Sequence, residues 1–289
     1  MIDTGTRGAP ARRVRRDLAV FFVLAFALPW SVWISRIGDD RGWWSWHVPT
    51  GVALWTMLPG TLLVAAATGG RAAVHDLFRR VVRWRFGIGW YTIALALPWA
   101  LALTGTGVLL ALGGSSQFGA GMAAGAAFSY FVIGVPLFAL TEELAWRGFA
   151  LPRLQALLPA LPASLVLGVV WALWHIPTFL LPSEGDSALP YAGFALFVLA
   201  QSVLTTWLFN RSGGSVLIAG LFHAASDAVY AGSGSVGGDA RLFWIVTALG
   251  CAAAVAVAVI EGPATLAGRR RAVVTEAPAT TVAATTATH

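Results

Sequence analysis

The chain has 289 residues, of which 57% are hydrophobic and 11% are charged, whereas average soluble proteins carry about 25% charged residues. This composition excludes an ordinary soluble domain and favours a protein of the lipid bilayer. The nineteen basic residues are all arginine, and they stand between apolar runs rather than on one folded face, which argues against nucleic acid as a partner. A single cysteine, Cys251, excludes an internal disulfide and a cysteine metal cluster.

Residues 1–17 form a polar tail with five arginines, and eight apolar runs follow it. Most of these runs are near the ~20 residues that a membrane-spanning helix needs. The predicted spans are Leu18–Ile34, Val48–Thr68, Ile88–Leu112, Ala123–Leu140, Leu161–Leu181, Tyr191–Phe209, Ser215–Tyr230 and Leu242–Ile260. The sequence therefore predicts an all-α, polytopic bundle of about eight membrane helices. Residues 18–122 hold the first three spans, 123–262 the last five, and 263–289 a disordered cytoplasmic tail.

The placement of the arginines predicts how the chain is oriented. Sixteen of them fall in the tails and connections on one side of the predicted spans, and three fall on the other. Because basic connections stay in the cytoplasm, this asymmetry predicts a plasma-membrane protein with both termini in the cytoplasm. The connections predicted to be extracytoplasmic are those near residues 36–47, 113–122, 182–190 and 231–240.

The most unusual segment follows the fourth apolar run and reads TEELAWRG from Thr141 to Gly148. Charge in or beside a membrane segment is costly, so such residues usually face the protein interior or a water-filled cavity. On a helix Glu143 and Arg147 are four residues apart and share a face, whereas Glu142 lies about 140° round the helix from Arg147. The spacing therefore gives Glu143 a partner within the helix and leaves Glu142 without one.

Two later spans carry histidines at helical spacing. Trp171 and His175 are four residues apart on the fifth span, and His223 and Asp227 are four apart on the seventh. Each of the three motifs has an ordinary explanation: a helix-end ion pair, a buried histidine bonded to a carbonyl, and an interhelical polar clamp. A single polar pocket shared by the three spans explains them together more economically.

The three motifs EExxxR, aromatic-xxx-His and His-xxx-Asp, in that order, resemble those of the CPBP intramembrane proteases. That family includes the type II CAAX prenyl endopeptidases and the Abi proteins of bacteriocin processing or immunity. The resemblance covers about residues 123–230. Trp171 stands where the family usually has Phe, and Asp227 stands where it often has Asn. An ionised carboxylate cannot donate a hydrogen bond as Asn does, so Asp227 has to be protonated or to act by orienting His223.

The resemblance implies an endopeptidase that cuts a peptide or a lipidated protein inside the bilayer. It implies that a glutamate activates water, which is chemically suited to a carboxylate screened from bulk solvent. In this scheme Glu142 and His175 hold the water, and His223 with Asp227 stabilises the oxyanion. The predicted site residues are Glu142, Glu143, Arg147, His175, His223 and Asp227.

The other view of the family places zinc at this site, with Glu142, His175 and His223 as candidate ligands. The HExxH motif is absent, and we expect a mechanism without a metal. Two functions of other classes also fit the sequence. One is a non-catalytic immunity or scaffold protein that binds a peptide and tolerates loss of Glu142. The other is a proton-coupled transporter with the carboxylates as a relay, although the sequence has no evident repeated halves.

Overall fold

The computed structural model describes residues 8–119, 122–182 and 188–268, and within them it is helical, without strands. The α-helices are α1 (Gly8–Asp40), α2 (Val52–Val81), α3 (Ile88–Ala111), α4 (Ala124–Leu140), α5 (Leu151–Gln155), α6 (Ala160–Trp174), α7 (Tyr191–Arg211), α8 (Val216–Ser233) and α9 (Ala240–Glu261). A π-helix, Leu144–Ala150, joins α4 to α5, and a 3₁₀ helix, Ile176–Leu180, follows α6.

Eight elements of the described chain are long and apolar enough to cross a membrane, as the sequence predicts. The fourth is the continuous element Ala124–Gln155, which is longer than the predicted span and contains the acidic motif in its interior. Hydropathy marks only the apolar part of a helix, so it placed the end of this element too early. The all-α membrane architecture is confirmed, whereas the division of the bundle at residue 122 stays a prediction.

The C-terminal side of α9 also differs from the expectation. Residues 263–268 were predicted to begin a disordered tail, but they pack against the bundle, with Leu266 fully buried. The backbone N–H of Ala160 donates to the carbonyl of Ala264 at 2.9 Å, so this segment satisfies an otherwise unpaired amide at the start of α6. The predicted tail from Arg269 and the N-terminal residues up to Arg7 lie outside the described residues.

The connections gather at two opposite ends of the bundle. At one end, which we call the arginine end, lie the connections 82–87, 156–159 and 212–215, and Ser215 Oγ donates to the carbonyl of Arg83 at 2.6 Å across it. At the other end, which we call the arginine-poor end, the backbone N–H of Gly119 donates to the carbonyl of Gly232 at 2.8 Å. The described parts of the connections at the arginine-poor end are 41–51, 112–119, 122–123, 181–182, 188–190 and 234–239.

A close approach between α4 and α8 brings the acidic motif to the seventh span. A Cβ placed on Gly220 of α8 would lie only 2.8 Å from the Cβ of Ala139 on α4 and 3.0 Å from its backbone. Only glycine fits this contact without a shift of one helix. The contact lies three residues from His223 and four from Glu143, so it sets the distance between those side chains.

Helix α1 braces the other side of the site. The indole of Trp174, at the end of α6, donates to the carbonyl of Ala25 at 2.8 Å, and the indole of Trp30 donates back to the carbonyl of Trp174 at 2.9 Å. Phe21 stacks on Phe149 of the π-helix with 4.8 Å between ring centroids. These contacts fix the ends of two site-bearing elements against one helix.

Candidate active site

A local irregularity of the fourth span positions the two glutamates. Thr141 leaves the helical conformation, with φ −105° and ψ −89°, and its hydroxyl donates to the carbonyl of Leu137 at 2.7 Å. The chain then continues into the π-helix that contains Arg147. Such π-helical turns are rare and occur often at functional sites. The irregularity lies inside the membrane element, so Glu142 and Glu143 are buried within the bundle.

Glu143 is at the centre of a buried group of charges that we call the ionic cluster: Glu143, Arg147 and His223. Arg147 Nη1 lies 2.9 Å from Glu143 Oε1, and both side chains are 0% exposed. The same oxygen lies 2.9 Å from His223 Nδ1. The spacing predicted the first contact and not the second. Complete burial also excludes the alternative of a helix-end ion pair at the membrane surface.

Glu142 has a different partner, which the sequence interpretation missed. Trp171 Nε1 donates to Glu142 Oε2 at 2.7 Å, and Glu142 is 3% exposed. The helical spacing gave Glu142 no partner within its own helix, and the partner that it has comes from α6. A hydrogen bond to an ionised carboxylate is among the stronger kinds in proteins. It holds one carboxylate oxygen and leaves the other outside the Trp171 contact.

His175 lies at the junction between α6 and the 3₁₀ helix. Pro177 disfavours continued α-helix just before it, and α6 ends at Trp174. His175 Nδ1 is 2.9 Å from the carbonyl oxygen of Trp171. A carbonyl only accepts, so Nδ1 carries the hydrogen of this bond and the neutral ring keeps a lone pair on Nε2. We call Glu142 and His175 the cavity pair.

Trp171 contacts both groups. Its indole N–H binds Glu142, and its carbonyl binds His175. Its ring face lies 4.6 Å from the guanidinium carbon of Arg147, a cation–π contact. It also meets the His223 ring edge-on at 5.2 Å. From the motif alone Trp171 is an aromatic replacement for Phe, and the signal for its second role is the indole N–H, which Phe lacks.

His223 and Asp227 share a face of α8, as their spacing predicts. His223 Nε2 lies 3.5 Å from Asp227 Oδ2, at the outer limit of a hydrogen bond. The ring of His223 stacks on Phe138 of α4, with 4.1 Å between centroids and 5° between planes. Each ring nitrogen of His223 thus faces a carboxylate, closely at Glu143 and loosely at Asp227. Tyr130 Oη is 3.5 Å from the same Asp227 oxygen.

A cavity of about 870 Å³ contains the reactive side of this arrangement. Its wall includes Glu142, His175, His223 and Asp227, whereas Glu143 and Arg147 are not part of it. Most of the remaining wall is apolar or aromatic. The aromatic residues of the wall are Trp33, Tyr130, Phe138, Trp171, Trp174, Phe194, Phe197, Phe222, Tyr230 and Phe243. A large, mostly apolar cavity with a few convergent polar groups is typical of a binding site.

The candidate zinc ligands do not form a metal centre in this arrangement. In the part of the chain that the structure describes, no group of three or more His, Cys, Asp or Glu is placed to hold a metal ion. Both nitrogens of His223 face carboxylates, which require N–H donors from the ring rather than a lone pair. Glu142 and His175 alone make two ligands, and catalytic zinc sites use three protein ligands.

The comparisons with known proteins agree with the motifs. Residues 124–229 match the family model of the type II CAAX prenyl endopeptidases, Rce1-like. The chain is also similar to CAAX prenyl protease 2 of Methanococcus maripaludis, with 26% identity over 223 residues, which is 71% of this chain and 80% of that protein. The predicted resemblance is thereby confirmed, and both names describe proteases. Together with the eight apolar helices, they indicate an integral membrane protein.

Proposed function

Taking the Rce1-like domain as the premise, we propose that this protein is an intramembrane endopeptidase that hydrolyses a membrane-associated peptide or a lipidated protein. The observation that supports this most strongly is the division between the two adjacent glutamates. Glu143 is enclosed in the ionic cluster, whereas Glu142 lines the cavity, as does His175, and both bind Trp171. A chain that only bound a peptide would have no need to place a carboxylate and an imidazole together at the cavity wall.

Glu142 is the proposed general base. With Oε2 held by Trp171, its other oxygen accepts a proton from a water in the cavity, and His175 Nε2 accepts the second hydrogen bond of that water. The water oxygen bonds to the substrate carbonyl carbon as its proton moves to Glu142. The C–N bond then breaks, and the leaving nitrogen takes that proton from Glu142. A positioned base of this kind contributes about 10²–10⁴-fold to a rate.

His223 is the proposed donor to the oxyanion. Facing two carboxylates, it acts as an imidazolium with an N–H on each nitrogen. Nδ1–H is bound to Glu143 at 2.9 Å. Among the described residues, the polar contact of Nε2–H is the 3.5 Å approach to Asp227, so Nε2–H is able to donate to a carbonyl oxygen in the cavity. Asp227 then orients the ring and balances its charge. An ionised carboxylate is able to orient His223 and balance its charge, whereas it has no hydrogen to donate to the oxyanion itself.

A proteolysis assay tests the proposal. Purified protein in detergent is incubated with a library of internally quenched peptides, with Glu142→Ala as the matched variant. We expect cleavage by the wild type and its loss in the variant. Equal cleavage by both would remove Glu142 from the mechanism. Binding of peptides without any cleavage would instead favour the scaffold function.

The proposed mechanism has no step through a metal, and elemental analysis of the active protein tests that part. We expect activity in samples whose zinc content is far below one ion per chain. One zinc per chain, lost together with activity in His175→Ala, would contradict the metal-free mechanism. Because His175 belongs to both schemes, loss of activity in His175→Ala does not separate them, and the zinc content of the protein does.

A further inference from the structure

Of the described connections at the two ends of the bundle, only those at the arginine-poor end contribute to the wall of the cavity. Each connection of the arginine-poor end contributes to the cavity wall, through Gly51, Met122, Ala188 and Gly237. None of the connections 82–87, 156–159 and 212–215 at the arginine end does so. Gly51, Ala188 and Gly237 are also solvent-exposed, so this end is the mouth of the cavity.

The charges differ sharply between the two ends. Among the described residues, eleven arginines and three acidic residues belong to the arginine end, and three of each belong to the arginine-poor end. Arg147 belongs to neither end, because it is buried in the ionic cluster. At the arginine-poor end Arg36 pairs with Asp40 at 2.8 Å and Arg241 with Asp239 at 2.7 Å, so little net charge remains there.

The charge asymmetry and the position of the mouth lead to one conclusion. Basic connections are retained in the cytoplasm. At the arginine end, the three acidic residues are too few to neutralise the eleven arginines, so this end keeps a large positive charge. We propose that the active site opens to the extracytoplasmic side of the membrane and that its substrate is an exported apolar peptide segment. This inference rests on the proposed endopeptidase function and narrows its substrate to peptides that have already crossed the membrane.

The wall of the cavity supports the class of substrate. No arginine is among its described lining residues, and its charged groups include the carboxylates of Glu142 and Asp227. A substrate C-terminal carboxylate would lie near these like charges, and the charge of the imidazolium in the wall, His223, is already balanced by Glu143 and Asp227. An additional negative charge is unfavourable in such a site, which is shielded from water. The apolar and aromatic wall instead fits the side chains of an extended apolar segment. The bond that is cut is therefore an internal one.

Sealed membrane vesicles test the side of entry. The probe is an internally quenched peptide with an apolar centre and charged residues at both ends, chosen among those that the purified protein cleaves. Such a peptide does not cross the hydrocarbon core, so right-side-out vesicles should cleave it at least about tenfold faster than inverted vesicles. Glu142→Gln vesicles of both orientations provide the background rate. Faster cleavage by inverted vesicles would overturn the inference.

Detergent separates failure of the orientation from failure of the function. If dissolved vesicles cleave the probe and sealed right-side-out vesicles do not, the orientation is wrong and the endopeptidase function stands. If the dissolved protein cleaves no peptide, the proposed function fails, and the inference fails with it.

Thiol labelling checks the orientation without any activity. In a Cys251→Ala background, the variants Ser115→Cys and Ala231→Cys place a thiol at the arginine-poor end and in the cavity, and Ala72→Cys places one at the arginine end. A charged, membrane-impermeant reagent applied to intact cells should label the first two and not the third. Labelling of Ala72→Cys alone would overturn the inference.

Discussion

The ionic cluster and the cavity pair show how adjacent residues of one membrane element come to lie in different environments. In the cluster, the charges of Glu143 and Arg147 meet each other and His223, and neither residue reaches the cavity. In the pair, Trp171 holds one atom of Glu142 and one of His175, and each keeps a second atom for a ligand. The comparison supports the proposal that Glu143 and Arg147 build the site, whereas the cavity pair, together with His223, performs its chemistry.

The largest effect is expected from Glu142→Gln. The amide keeps the shape of the side chain but loses the basicity, so turnover should fall by about 10²–10⁴-fold. The temperature of unfolding in detergent should change little, because the amide oxygen still accepts from Trp171. A variant that loses stability as strongly as activity would place Glu142 in the cluster rather than in the pair.

Arg147→Met tests the cluster. The substitution removes one of the two cations that face Glu143 and leaves that carboxylate with His223 alone. Breaking a buried ion pair costs about 3–5 kcal/mol of folding free energy, and we expect a loss up to that size. The measurement is the free energy of unfolding in mixed micelles. The double variant Arg147→Met with Glu143→Gln is the control. It removes both charges of the pair while Asp227 still faces His223, so it should recover part of the loss. A double variant that is less stable than Arg147→Met would show that the pair is not the source of the loss.

Trp171→Phe tests the link between the two regions. The substitution keeps an aromatic ring and removes the N–H that holds Glu142, an interaction worth about 1.5–3 kcal/mol. We expect turnover to fall by about 10-fold or more with little change in KM, because Trp171 positions the base. The matched control is Trp146→Phe, since the fully buried Trp146 Nε1 has no hydrogen-bond partner among the described residues. Equal losses of turnover in Trp171→Phe and Trp146→Phe would show that Trp171 contributes by packing alone.

The smallest effect is expected from Arg36→Ala, which breaks an ion pair outside the site. Arg36 and Asp40 lie 2.8 Å apart with side chains 32% and 33% exposed. Such surface pairs contribute about 0.2–1 kcal/mol. The unfolding free energy should therefore change much less than in Arg147→Met, and turnover should not change. A loss as large as that of the buried pair would refute the assumption that burial decides the difference.

The sequence predicted those features that depend on neighbouring residues along one helix. Hydropathy identified eight spans, and the four-residue spacing identified the Glu143–Arg147 pair. The sequence did not predict the contact of Glu143 with His223 or that of Glu142 with Trp171, which join residues 80 and 29 positions apart. Those contacts depend on how closely α4 and α8 approach at Gly220 and on where α6 ends. Neither follows from the pattern of a single helix.

The most direct test of the division between the glutamates is a side-by-side measurement of Glu142→Gln and Glu143→Gln. Turnover of one cleaved peptide and thermal stability are recorded for both variants and the wild type in the same detergent. We predict that Glu142→Gln remains as stable as the wild type and loses turnover. Glu143→Gln should lose stability and activity together, because it weakens the contacts with Arg147 and His223. A stable, inactive Glu143→Gln beside a Glu142→Gln with near-wild-type turnover would contradict the assignment.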